Sequence, residues 1–166
     1  QRLVAPSRWG DERFNNPAQP VVGISWYEAR AYCSWLSAQS GHGYRLPTEV
    51  EWEVAARCRS GRRFVYGDVY DASRANTYET RVRRTSPVGV FVEGDTPDGI
   101  SDMAGNVGTW TSSQWGYEEG DADFRYPYDA ADGREATEAS PHMRRVVRGE
   151  SWSAPSFSAF AASRNG

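Results

Sequence analysis

The sequence contains no lysine, and all 19 of its basic residues are arginine. Heat adaptation as a rule enriches Lys and Glu, so this bias reads first as a coding preference. Set against 22 acidic residues it leaves a net charge of −3, which gives no electrostatic reason to expect nucleic acid as a partner. Cysteine and histidine are scarce, two of each. Cys33 and Cys58 cannot make a disulfide framework, and with His42 and His142 they have no zinc-ligand spacing. No apolar run approaches the ~18–20 residues that a membrane span needs, so membrane insertion is not expected. The opening residues Gln1-Arg2-Leu3 do not read as a signal peptide; they begin as if a leader or an earlier domain had been trimmed.

What is present suits one globular domain of 166 residues. Aromatic residues make up 13%, with 7 Trp and 9 Tyr, too many for a disordered chain. Two segments carry helix signals. Ser25-Trp26-Tyr27-Glu28 is a capping box, followed by Trp26, Ala29, Cys33 and Leu36 at helical spacing and stopped by Gly41. Thr48-Glu49-Val50-Glu51 is a second capping box, and Val50, Val54, Ala55 and Cys58 form the expected inward stripe. Both cysteines then fall on helix core faces as free thiols. Beyond Arg62 the helical period disappears. Val88–Val92 and Arg145–Arg148 read as brief strands among loops rich in Gly, Asp, Asn and Pro, and residues 116–142 show no apolar periodicity. The expected class is α+β.

Several phrases are more specific. Residues 20–36 (Pro-Val-Val-Gly-Ile-Ser-Trp through Ser-Trp-Leu) resemble the first helix of the formylglycine-generating-enzyme domain family. Arg45-Leu-Pro-Thr-Glu-Val-Glu-Trp-Glu-Val-Ala-Ala-Arg57 resembles its second. Arg74-Ala-Asn-Thr77, Ser86-Pro-Val-Gly89, Asp102-Met-Ala-Gly-Asn-Val107 and Arg148-Gly-Glu-Ser-Trp152 follow in the family's order. The resemblance implies a C-type-lectin-like fold: two helices, small twisted antiparallel sheets and long loops. It also implies a single domain over 1–166 belonging to a longer native chain.

The family's oxidases use two cysteines that bind copper and substrate. Counting from Gly149-Glu150-Ser151-Trp152, those positions are Ala154 and Ala159, so neither copper nor catalysis is expected. The family's Gly-Asn-Val-Trp-Glu-Trp appears as Gly105-Asn106-Val107-Gly108-Thr109-Trp110. Residues 151–163 carry no charge, and Ser, Phe and Ala alternate there without period, which suits an adaptable contact loop. A subset of the family comprises the variable proteins of diversity-generating retroelements, in which this segment is rewritten at adenines. Ser153, Ala154, Ser156, Phe157, Ser158, Phe160 and Ser163 are all reachable from Asn codons, and Glu150 from a Lys codon. These eight form the expected ligand surface, with Trp152, Ala161 and Ala162 as buried scaffold. The resemblance thus points to a non-catalytic ligand-binding module of bacterial or phage origin, at the cell surface or in the cytoplasm, whose ligand is a protein. The alternatives are a formylglycine-generating or related oxidase, and a structural domain of a larger protein. It also implies a structural calcium on the Asp102 side chain and the backbone of Met103, Gly105 and Val107, with Asn76 and Thr77 as weaker candidates for a second ion.

Overall fold

In the computed structural model, residues 5–117, 122–138, 140 and 142–166 are described. Helix α1 spans Trp26–Ser40, and its Ser25/Glu28 capping box closes reciprocally; Gly41 ends it in the left-handed region at φ 73°. Helix α2 spans Glu49–Arg57 behind the Thr48/Glu51 box. It ends on Cys58 at φ 46°, before the glycine at 61. Strands β1 (Thr109–Gly116) and β2 (Arg144–Arg148) pair antiparallel, and single-turn 3₁₀ segments lie at Tyr78–Thr80, Val92–Gly94 and Ser156–Ser158.

The β1–β2 register is broken. From Trp110↔Val147 to Gln114↔Arg145, β1 advances four residues while β2 advances two. Such bulges bend and twist a short pair. Both strands also use their outer edges: Ser112 and Gln114 donate to the carbonyls of Pro47 and Arg134, and Val147 exchanges bonds with Asn165. The indoles tie α1 to the sheet, Trp26 donating to Thr111 O and Trp110 to Ile24 O.

The core gathers Trp52, Ala56, Val65, Ala75, Met103, Ala104 and Ala161. Two polar assemblies hold the loops around it. In the first, the fully buried Arg148 bonds Glu49, Glu53 and the carbonyl of Ala161, and Arg164 closes on Glu49 from the other side. In the second, Asn76 Nδ2 donates to Arg84 O and Ser86 Oγ. Asn106 receives the Ser86 amide and returns a bond to the Ser86 carbonyl. Asn106 N donates to Asn76 O, and Trp152 N to Asn106 O. The three sequence phrases around 76, 86 and 106 thus meet at one point. Gly105 sits there at φ 74°, and a Cβ would fall 2.2 Å from Asn76 O, so only glycine passes.

Four expectations are corrected. The inward face of α2 is Glu49, Trp52 and Ala56, with Val54 47% exposed; Glu49 turns inward because two arginines meet it there. Val88–Val92 forms no strand: it turns at 88–89, enters the 3₁₀ segment at Val92 and bonds Ala18 O through Val88 N, and Val88, Val90 and Val92 are exposed. Trp152 is half-buried, not sealed, and Ala162 is exposed. Trp152 leans on Phe14 at 6.3 Å beside an open cleft to which Gly108 contributes no side chain. Cys33 and Cys58 are free but only partly buried.

Candidate functional site

Gly149 (φ 85°) and Glu150 (φ 60°) turn the chain out of β2 into the 150–163 segment. From there the path is fixed mainly by its own backbone. Trp152 N donates to Asn106 O, Ala154 O accepts from Tyr78 N, Ser156 N donates to the Glu79 carboxylate, and Ala161 N donates to Arg63 O. The side chains buried beneath are Ala159 and Ala161, at 3% and 1% exposure. Segment geometry therefore depends little on what the outward side chains are.

The eight expected surface positions divide. Ser153 is exposed and shares a hydroxyl bond with Ser151. Ala154 and Ser156 lie against Tyr78 and Glu79, where Ser156 Oγ also donates to the carboxylate. Phe157, on the 3₁₀ turn, is 71% exposed, while Ser158 closes the turn onto Pro155 O. Phe160 is half-buried, edge-on to Phe64 at 5.1 Å and under the Arg63 guanidinium. Ser163 is half-buried. Glu150 stands apart, bonded to Asn165 Nδ2 in a cleft of about 540 Å³ walled by Trp26 and Trp110. Tyr78 and Glu79 were not anticipated as part of this face. Their only sequence signal is that they directly follow the Arg-Ala-Asn-Thr phrase. Burial alone would raise the Glu79 pKa, but the bonds from Ser156 and Thr77 hold it below the usual range.

At the expected ion loop, Asp102 takes the left-handed region at φ 56° and accepts from Gly89 N at 3.2 Å. Desolvation, with the nearby Asp95 charge, raises its pKa despite the bonds it accepts. Met103 and Gly105 are buried and Val107 half-buried. Among the described residues no three His, Cys, Asp or Glu side chains gather as metal ligands, so an ion here would need amide and carbonyl oxygens beside the Asp102 carboxylate. Asn76 and Thr77 are sealed in the interior. Among the described residues Asn76 Oδ1 has no hydrogen-bond donor, whereas the Thr77 hydroxyl is engaged by Tyr70 and Glu79.

Residues 4–166 match the sulfatase-modifying factor enzyme 1-like domain, and the chain belongs to that family. The inactive C-alpha-formylglycine-generating enzyme 2 of Bos taurus is 36% identical over 139 residues, covering 77% of this chain and 43% of that protein. The solved structure of PvdO from Pseudomonas aeruginosa superimposes with a TM-score of 0.70 at 30% identity, over 90% of this chain and 56% of that one. Treponema denticola variable protein 1 shares the fold, with a TM-score of 0.68 at 21% identity, over 89% of this chain and 65% of that one. The chain spans less than half the length of the curated relatives it matches.

Proposed function

We propose that this member of the sulfatase-modifying factor family is a non-catalytic ligand-binding module. In this reading it is the variable protein of a diversity-generating retroelement, and its 150–163 segment meets a protein ligand. The observation that carries the reading is a backbone held by main-chain bonds and buried alanines while Phe157 stands 71% exposed. Exposed rings in a soluble domain mark contact sites, and such a path tolerates replacement of its outward residues. The oxidase alternative lacks its chemistry at the matching positions, because the methyl groups of Ala154 and Ala159 offer copper no thiolate. Sequencing the locus tests the proposal. The expected finding is a near-repeat of the 3′ coding end, differing at adenines and beside a reverse-transcriptase gene. Absence of any such repeat would overturn it in favour of a structural domain.

We further propose that the fold carries structural calcium. Orphaned Asn76 Oδ1 and the half-buried Asp102 carboxylate both gain from a cation, and calcium accepts such mixed oxygen ligands. Chelation should lower the melting temperature. At ~100-fold excess over Kd an ion is worth ~2.7 kcal/mol. Asp102→Ala should erase the difference between chelated and calcium-loaded protein. Superimposable melts of wild type with chelator and with calcium would remove the ion.

A further inference from the structure

Arg145 is 7% exposed, and it differs from the other deeply buried arginines. Arg134 is paired with Asp132, and Arg148 with Glu49 and Glu53. Among the described residues no carboxylate lies within ion-pair distance of Arg145. Its Nη1 donates to the carbonyls of Ser112 (2.6 Å) and Ala136 (3.3 Å), and its guanidinium lies 4.1 Å over the Trp26 ring. Nε and Nη2 find no acceptor among the described residues, yet they are not sealed from solvent. Arg30 lies over the same ring at 5.5 Å, and among the described residues it too has no ion pair. A buried cation is costly unless something pairs with it. Desolvation lowers the Arg145 pKa, and the Arg30 charge adds to that, against Tyr27 and Glu135.

Both arginines line a cleft of about 300 Å³ between α1 and the sheet, with Tyr44, Ser34, Thr48 and Thr137 on its walls. That size suits a small ligand. Its third arginine, Arg45, is neutralised by Glu51 at 2.6 Å. The one carboxylate within, Glu135, already accepts from Ser112, Ser113 and Tyr128. Among the described residues two unpaired cations thus face one engaged carboxylate, a surplus of a single positive charge. A dianion would exceed that surplus and be repelled by Glu135. A planar monoanion matches both the charge and the two-donor edge of a guanidinium.

We propose that this cleft binds a small carboxylic acid, its carboxylate between Arg145 and Arg30 and its apolar body against Tyr44. The site is separate from the 150–163 segment. The test is a titration of the whole domain with sodium benzoate at constant ionic strength. It is followed by NMR at the Trp26 indole N–H, which donates to Thr111 O. Saturable shifts are expected there, with none from benzamide, the neutral analogue. Arg30 is exposed, so R30Q should fold and bind about tenfold more weakly, the equivalent of ~1.4 kcal/mol. R145K keeps the charge but loses the planar fork, and should weaken binding comparably, with spectral changes confined to the neighbourhood of Trp26, Ser112 and Ala136. Equal shifts from benzamide, unchanged affinity in both variants, or tighter binding of inorganic phosphate would each overturn the proposal. So would the absence of saturation at tens of millimolar benzoate.

Discussion

At the scale of single residues, Phe157 and Phe160 are the informative pair. They lie three positions apart in one uncharged segment, and composition alone treats them alike. The structure separates them: Phe157 touches solvent over most of its ring, while Phe160 packs edge-on against Phe64, itself 3% exposed. Phe157→Asp should therefore change stability by no more than ~1 kcal/mol, as at surface sites generally. Phe160→Asp should cost on the order of 2 kcal/mol, because it forfeits an aromatic pair and its burial. Urea titration of both variants measures this, and equal losses would mean that Phe157 is not on an open surface. Both rings reach solvent, Phe157 over most of its surface and Phe160 over part of it. Period-free serine and alanine gave no sign that Phe64, almost a hundred residues earlier, would pack against Phe160.

At the scale of elements, local signals were legible and distant ones were not. Both helix starts could be read from the sequence, since Ser25 with Glu28 and Thr48 with Glu51 close within four residues. The buried face of α2 could not, because Glu49 is inward only through Arg148 and Arg164, about a hundred residues away. Strand β1 passed unnoticed for a related reason. Thr109–Gly116 is rich in Thr, Ser and Gln, and it buries Thr111, Ser113 and Gln114 by bonding them to Val146, Glu135 and Ala136. The family phrases marked out the 150–163 segment and the Asp102 loop, but not Tyr78, Glu79 or the Arg145 cleft, which arise only on folding. The α2–β2 joint gives a direct test. Arg148→Ala leaves Glu53 short of a partner and Glu49 with Arg164 alone, and removing one member of a buried pair costs ~3–5 kcal/mol. A loss below ~1 kcal/mol in chemical denaturation would show that Arg164 suffices.

At the scale of the whole molecule, the domain has a small apolar core, and carboxylates held by arginines and hydroxyls tie its loops, so stability should depend on acid more than on hydrophobic packing alone. Hydrogen bonds from Arg45 and the Thr48 amide hold Glu51 well below its ordinary 4.5, at about 2. Burial would raise Glu53, but Tyr126, Arg57 and Arg148 lower it on balance, and Ser156 does the same for Glu79. For each of these groups the unfolded chain binds protons more readily than the folded one between the two pKa values. The Glu51 contribution is complete above about pH 4.5 and lost as pH falls through about 2, and those of Glu53 and Glu79 are likewise lost as pH falls below the ordinary carboxylate range. Asp102 runs the other way, since its raised pKa makes the folded state the better proton acceptor and costs stability as pH rises past the ordinary carboxylate range. Asp11, Glu28, Asp71 and Asp132 are lowered as well, so the lowered carboxylates outnumber Asp102, and the melting temperature should fall steadily across that acid window. Glu51→Gln removes a strongly lowered carboxylate while leaving an amide to cap α2. Its melting temperature at neutral pH should drop slightly, and its slope between pH 4.5 and 2 should be shallower than that of wild type. A parallel slope would mean that the Arg45–Glu51 pair, largely open to solvent, contributes nothing to acid stability, as exposed pairs often do not.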